Sequence, residues 1–475
     1  MLKNYQKTLR EVLREIQPTN DERVKLESLS GRTLQIANEY ARKMKGKAII
    51  AGSLTRNTWL PHKNEFDVFI ILPKSITEKN LEKIGLKFGK GIIKKLGGKH
   101  RIEYAQHPYV RGFVDETQID IVPCYEMMPG ERIKSAVDRT PFHVDYLNKN
   151  LKEDMSDDVR LLKQFCFANK IYGADTKTEG FSGYVCELLV IKYGKFLDVL
   201  KNVAKWQPGE IIDIENYYDK KDYHELKKQF KRQVLIVIDP TDKTRNAAAA
   251  ISANSFYMLK KMTNVFLTDP SEEFFFEEKY DTLTEHELIS LLMKRRTEVI
   301  LVVFRPPKVV PDILWPQLRR FSDRLEQILK EYEFIVHRKD IYTDEKDLAV
   351  VLLEMEVSKL PAIDKKIGPL IFDLDDSERF LNKYKKIAIT GPFIENDFWC
   401  VEVKRIFMAA RDKLFESLEE KAKILKAKGI PNHIADEITK KFEIISETEK
   451  IMELIKKDEK FGIFLRRYFT KGSLV

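Results

Sequence analysis

Two carboxylates, Glu65 and Asp67, stand two residues apart at the start of an apolar run, EFDVFIILP, which has the composition of a strand buried on both faces. Successive side chains on a strand alternate faces, so the two acids point one way while Phe66 and Val68 point into the core. Burying an unpaired carboxylate is costly, so this acidic edge calls for a positively charged partner. A third acid, Asp120, has a similar setting in the short apolar run QIDIVPCYE. Two carboxylates from one strand and one from a neighbour offer the oxygen ligands that magnesium prefers, and can hold two divalent cations suited to in-line attack on phosphorus. A Gly52-Ser53 pair follows the run KAIIA. Its glycine lets backbone amides approach a phosphate closely, the serine hydroxyl adds a hydrogen bond, and Arg56 adds charge three residues on. A Gly-Ser pair and a Glu-x-Asp pair each carry little information alone. Their order along the chain carries more: strand, Gly-Ser, a gap, Glu-x-Asp opening a second strand, and a distant Asp in a third.

The elements that must position these residues fall into four sections. Residues 1–147 begin with helices, broken near Pro18 and Gly31, and continue from about residue 47 as strands: KAIIAG, EFDVFIILP, the HRIEYAQHPYVRGFV pair and TQIDIVPCYE, with a helix at roughly 78–96. That order predicts a small α/β palm. Residues 148–264 turn helical around VRLLKQFCFANKIYG and GYVCELLVIKYGKFLDVLKNV, interrupted by the strand-like QVLIVIDP. Residues 265–360 carry a β-α-β-β order, which suggests a ferredoxin-like or RNA-recognition-like body. Residues 361–475, with KKIAITGPFIENDFWCVEVKR and then long charged helices, read as a tail. The fold class expected is therefore α+β and multidomain.

Composition sets limits on function. The chain has 475 residues, 43% hydrophobic and 33% charged, with no unbroken apolar stretch of membrane-spanning length. The N-terminal MLKNYQKTLREVLREI repeats Tyr5, Leu9, Val12, Leu13 and Ile16 at helical spacing among charges, unlike a signal peptide, which implies a cytoplasmic protein with no membrane partner. Four scattered cysteines, Cys124, Cys166, Cys186 and Cys400, make neither a zinc site nor a disulfide scaffold and read as reduced core residues. A mild basic excess, 83 Lys and Arg against 74 Asp and Glu, is gathered in KKLGGKHR (94–101), HELKKQFKR (224–232) and FLRRYFTKG (464–472), which can meet a polyanion.

The runs GSLTRNTWLPHKNEFDVFIILP, QIDIVPCY, RTPFHVDYL, DDVRLLKQFCFANKIYGADTKTEGFSGYVCELLVIKYGKF, VIDPTDKTRNAAAAIS and GPFIENDFW resemble the archaeal, class I CCA-adding enzymes of the DNA polymerase β-like nucleotidyltransferases. The resemblance implies a nucleotidyltransferase palm as catalytic head, a helical central neck, an RNA-recognition-like body and a tRNA-binding tail. It implies template-independent addition of C, C and A to the 3′ end of tRNA from CTP and ATP. Glu65, Asp67 and Asp120 take the place of the metal-binding triad, with two Mg2+ ions as cofactors. Gly52, Ser53 and Arg56 take nucleotide-binding positions after the first strand. Thr140, His143, Lys163 and Tyr172 match positions that hold the triphosphate and sugar, and Arg245 matches the arginine that reads the base edge. The chain departs from the pattern at Thr55-Arg56-Asn57, where a smaller residue before Arg56 and Gly after it are expected. Arg245 also has Asp239 and Asp242 close enough in sequence to pair with. The partners implied are the acceptor and TΨC arms of tRNA, and a homodimer is left open. The competing readings are a poly(A) polymerase or oligoadenylate-type enzyme of the same superfamily, and a catalytically silent RNA-binding protein that kept the palm as scaffold.

Overall fold

The computed structural model describes residues 2–61, 63–104, 108–128, 131 and 135–470. Residues 105–107 within the expected HRIEYAQHPYVRGFV pair and the last two residues of FLRRYFTKG lie outside these. Two compact units divide the chain, residues 1–278 and 279–475.

The first unit opens with helices α1 (Leu2–Ile16) and α2 (Asn20–Arg42), the latter held at its start by a capping box between Thr19 and Glu22. α2 runs through Gly31 without a break. A lone glycine in a helix costs only about 1 kcal/mol, and burial of Leu26, Leu29, Thr33, Ala37 and Ala41 on the same helix overrides it. There follow β1 (Lys47–Ala51), β2 (Glu65–Leu72), α3 (Glu78–Lys95), β3 (Lys99–Tyr104), β4 (Pro108–Val114) and β5 (Thr117–Tyr125). They form one sheet in the order β1-β2-β5-β4-β3, in which only β2 and β5 run parallel. Phe66, Val68, Ile70 and Leu72 of β2 pack with residues of α2 and α3 on one face. α3 lies close enough to the sheet that a Cβ at Gly85 would fall 2.4 Å from Pro123 and one at Gly89 2.6 Å from Val110. On the other face Phe69, Ile71 and Cys124 pack with Val144 of α4 (Thr140–Asn150).

The rest of this unit is largely helical: α5 (Ser156–Ala168), α6 (Gly183–Tyr193), α7 (Phe196–Val203), α8 (Tyr223–Gln229) and α9 (Ala253–Thr268). Phe165, Phe196, Phe266 and Phe275 meet edge to face or tilted in its core, with ring centroids 5.5–6.0 Å apart. The interrupting strand is β7 (Leu235–Asp239), central between β6 (Glu210–Asp213) and β8 (Asp242–Asn246).

The second unit contains α10 (Glu285–Arg295), β9 (Glu298–Phe304), α11 (Pro311–Lys330), β10 (Ile335–Thr343) and β11 (Ala349–Val357), the β-α-β-β order read from the sequence. A smaller sheet of β12 (Ile363–Leu370), β13 (Ala388–Glu395) and β14 (Phe398–Lys404) carries α12 (Leu374–Tyr384). After it come α13 (Ala410–Leu418), α14 (Ala422–Ala427), α15 (Asn432–Ile438), β15 (Phe442–Ile445), α16 (Thr448–Lys457) and α17 (Glu459–Thr470). The sequence reading separates a body from a tail at residue 361, and the structure differs there. β15 joins the body sheet beside β9, in the order β10-β11-β9-β15. Leu414, Leu425 and Ile434 share one core with α11, and Ile451, Phe461 and Leu465 share another on the opposite face of that sheet. The final helices are short, and their apolar stripes complete the body. Arg466, read as able to meet a polyanion, donates to the carbonyls of Asp281 and Thr282 and to Glu287 at 2.7–3.0 Å. Arg467 lies over the Tyr280 ring.

The four cysteines are free and buried. Among the described residues no helix is long and apolar enough to cross a membrane.

Candidate active site

β2 and β5 place the acids. In their parallel register Asp67 lies directly beside Asp120, and Glu65 beside Gln118. The burial of β2 alternates as expected at its start: Glu65 is exposed, Phe66 buried, Asp67 half-buried and Val68 buried. Ala51, the last residue of β1, pairs with Asp67 on its other side, so the turn that follows stands over the acids. Gly52 there has φ +89°, in the region that favours glycine, and a Cβ on it would touch Asp67 Oδ2 at 3.5 Å. The helical turn from Ser53 to Arg56 ends on Asn57 at φ 52°, ψ 39°. The departure from the expected glycine is thus absorbed, because asparagine tolerates the left-handed conformation.

Asp120 is not free. Arg111 of β4, its cross-strand neighbour, donates Nε at 2.8 Å to one carboxylate oxygen and Nη2 at 2.6 Å to the other, and also Nη2 at 2.9 Å to the Tyr109 hydroxyl. Asp67 has no comparable relief among the described residues. Burial, then the charges of Asp120 and Glu65, push its carboxyl up to about 7, against the lowering effect of Arg111. Among the described residues no three His, Cys, Asp or Glu side chains converge closely enough to hold a metal ion as they stand. The donor set is nevertheless all oxygen, with more negative charge than the one guanidinium beside it among the described residues offsets, a chemistry that suits a hard divalent cation.

A second cluster lies under the Ser53–Arg56 turn. Glu187 of α6, only 2% exposed, receives Arg56 Nη2 at 3.0 Å, Lys163 Nζ at 2.9 Å and the Thr58 hydroxyl at 2.7 Å. Burial alone would raise the Glu187 carboxyl; Lys163, Arg56 and Thr58 outweigh it and hold it below the usual range. Lys163, matched to a position that holds the triphosphate or sugar, is buried and bonded also to the Thr58 carbonyl at 3.2 Å. Buried Arg160 fixes the same loop through the carbonyls of Asn57 and Trp59. Tyr172 lies beside this cluster: a Cβ on Gly183 would be 3.0 Å from its hydroxyl and 3.6 Å from Lys163 Nζ, and Lys63 sits 4.7 Å over its ring. Burial, with Cys186, Glu187 and Glu65 nearby, raises its phenol well above the usual value.

His143 and Arg245 meet at a third place. Both bond to Asp239, at 3.0 and 2.6 Å, so one of the two pairings open to Arg245 in the sequence is made. Asp242 pairs instead with Arg139 at 3.4 Å. Thr140 starts α4 one turn before His143, on the same side of the helix. The candidate residues therefore gather in three groups in one unit: Gly52 with the acids; Arg56, Lys163 and Tyr172 around Glu187; His143 and Arg245 around Asp239.

Sequence reasoning missed Arg111, Thr58, Tyr184 and Glu187, and knew Asp239 only as a pairing option. Glu187 had a signal. It is the one charge in GYVCELLV, an otherwise apolar helix start, and a charge that cannot face water needs a partner.

A nucleotidyltransferase domain model matches residues 32–143, a model of the second domain of tRNA nucleotidyltransferase matches 157–276, and a model of the C-terminal domain of the CCA-adding enzyme matches 295–447. Nucleotidyltransferases of this kind generally use divalent metal ions. Relatives are similar along most of their length. The CCA-adding enzyme of Methanothermobacter thermautotrophicus is 34% identical over 447 residues, covering 92% of this chain and 94% of that one. That of Methanoregula boonei is 33% identical over 459 residues, covering 97% and 94%. That of Methanocaldococcus jannaschii is 37% identical over 389 residues, covering 80% and 84%. With its palm acids in register, its three models in order and relatives matched along nearly their whole length, the chain belongs to the CCA-adding enzymes, a family of polymerase β-like nucleotidyltransferases.

Proposed function

We propose that this protein adds C, C and A in turn to the 3′ end of tRNA, without a template, in the cytoplasm. The observation that carries the reading is the Asp67–Asp120 pair beside the Gly52 turn, in a chain related throughout to enzymes of that name. In each round the tRNA 3′-oxygen attacks the α-phosphorus of CTP or ATP. A phosphodiester forms, the α–β bond breaks, pyrophosphate leaves and the hydroxyl proton is lost.

Glu65, Asp67 and Asp120 would hold two Mg2+ ions, which lower the pKa of the attacking hydroxyl and offset charge on the leaving pyrophosphate. Gly52 and Ser53 present backbone and hydroxyl donors to the phosphates. Arg56 and Lys163 supply two positive charges against the single charge of Glu187, a net excess suited to a triphosphate. Tyr172, Thr140 and His143 orient the triphosphate and sugar. Arg245 donates to acceptors on a cytosine edge or to an adenine ring nitrogen, whereas uracil and guanine present different patterns. One set of palm acids implies one nucleotide pocket used three times, reshaped by the growing 3′ end. The second unit would bind the acceptor and TΨC arms through phosphates and shape, since every tRNA must be accepted.

The test is incubation of a tRNA lacking its terminal CCA with CTP, ATP and Mg2+, followed by sequencing of the new 3′ end. The expected product ends in a single CCA. A long run of A would mark a poly(A)-type enzyme, and no extension would mark an RNA-binding protein.

A further inference from the structure

We infer that Asp239 is a positioning residue that sets nucleotide selectivity, by holding the base-reading and phosphate-side groups of the pocket on one buried carboxylate. The inference rests on the roles given above to Arg245 and His143.

Asp239 ends β7 and is fully buried. Its Oδ2 takes His143 Nε2 at 3.0 Å and Arg245 Nη1 at 2.6 Å. Its Oδ1 takes the Tyr184 hydroxyl at 3.1 Å, the Thr241 amide at 2.9 Å and the Thr241 hydroxyl at 2.8 Å. An ionised carboxylate only accepts, so His143 donates from Nε2 and keeps Nδ1 for another partner. The Tyr184 ring stacks on the imidazole, with centroids 4.2 Å apart and planes at 22°. His143 is thus fixed at one edge and one face.

The two residues come from different elements, His143 from α4 and Arg245 from β8. α4 in turn packs through Val144 on the sheet that carries the acids. Arg245 spends one nitrogen on Asp239, and its side chain is 34% exposed, so the rest of its planar fork can reach a ligand in a fixed orientation. Loosening that fork blurs the difference between a matching and a mismatching base edge. Discrimination of this kind depends on donors that cannot turn to suit the wrong partner. Because the same oxygen holds His143, a change at Asp239 also weakens the hold on the phosphate side.

The experiment is steady-state addition to a tRNA lacking CCA, comparing CTP, ATP and UTP for wild type, Asp239→Asn, Arg245→Ala, the double variant and Tyr184→Phe, with thermal melting of each. Asp239→Asn is expected to raise KM for CTP and ATP about tenfold, leave kcat within about threefold and cut selectivity for CTP over UTP about tenfold. In the double variant selectivity falls no further than in Arg245→Ala alone, since both changes disable one device. Tyr184→Phe, which keeps the charge and the ring, loses about threefold in selectivity by freeing one bond to the carboxylate. It serves as the test if Asp239→Asn does not fold, and unchanged selectivity in a folded Tyr184→Phe would then overturn the inference. Additive losses in the double variant, or a folded Asp239→Asn with wild-type selectivity while Arg245→Ala relaxes it, would also overturn it. Unchanged selectivity in Arg245→Ala would instead remove the base-reading role on which it rests.

Discussion

Asp67 and Asp120, on adjacent strands of the palm, contrast with Glu187 and Asp239 deeper in the same unit. All four are carboxylates drawn away from bulk water, yet their electrostatic balance is opposite. Glu187 has two cations and a hydroxyl; Asp239 has a guanidinium, an imidazole, two hydroxyls and an amide. In both, partners outweigh burial and hold the acid below its usual range. Among the described residues Asp67 and Asp120 have one guanidinium nearby, whose bonds to the pair both go to Asp120, and Asp67 is pushed up to about 7. A carboxylate whose oxygens are met by a cation and several further donors holds other side chains in place. A carboxylate left short of positive charge is a candidate site for a cation.

The largest effect that would break this contrast is on chemistry. Asp67→Ala should lower CCA addition by about a thousandfold or more while tRNA affinity in a filter-binding titration stays within about twofold. Near-normal addition by that variant would remove Asp67 from the reaction. Glu187→Gln should act on the fold as well, because it leaves Arg56 and Lys163 buried without their counter-charge. A loss of about 3–5 kcal/mol in denaturant unfolding is expected, and an unchanged midpoint would show that the cluster relaxes toward solvent.

Arg111 sharpens the comparison. Arg111→Gln removes the one cation bonded to Asp120 among the described residues and should tighten divalent-cation binding about tenfold in a calorimetric titration. Weaker binding would mean that Arg111 helps to build the cation site.

The smallest effect is on pH. The folded-state value of Asp67 lies above the ordinary value of about 4, so the folded state binds more protons between about pH 4 and the folded value of about 7. Without divalent cations this group's contribution to stability is present at low pH and lost as pH rises through that window. Asp67→Asn should flatten that part of the melting profile and melt a few degrees higher at pH 8, by about the 2–4 °C that 1 kcal/mol moves a domain of this size. Parallel profiles would show that Asp67 is hydrated in solution.

The contrast also explains what was legible in the sequence. Glu65 and Asp67 were readable because strand alternation is local, and Asp120 because its apolar strand resembles theirs. Beyond the local Asp239–Arg245 pairing, the partners of the partner-rich acids were not, because their bonds span 131 residues from Arg56 to Glu187 and 96 from His143 to Asp239. No local period encodes such a distance. The burial of Lys163 was not readable either, since its partner comes from another helix. In the second unit, charge density hid the apolar stripe of Ile451, Met452 and Ile455, so helices that complete the body core looked like a tail. Gly31 and Asn57 show the converse, where a local signal was real but packing or residue chemistry accommodated it.

The most direct measurement is equilibrium binding of Mn2+, followed by its electron paramagnetic resonance signal, to the wild-type protein, Asp67→Asn and Asp239→Asn. If the under-compensated pair is the cation site, Asp67→Asn binds at least about tenfold more weakly than wild type, while Asp239→Asn binds as wild type does. Wild-type affinity in Asp67→Asn, or an equal loss in Asp239→Asn, would contradict the account.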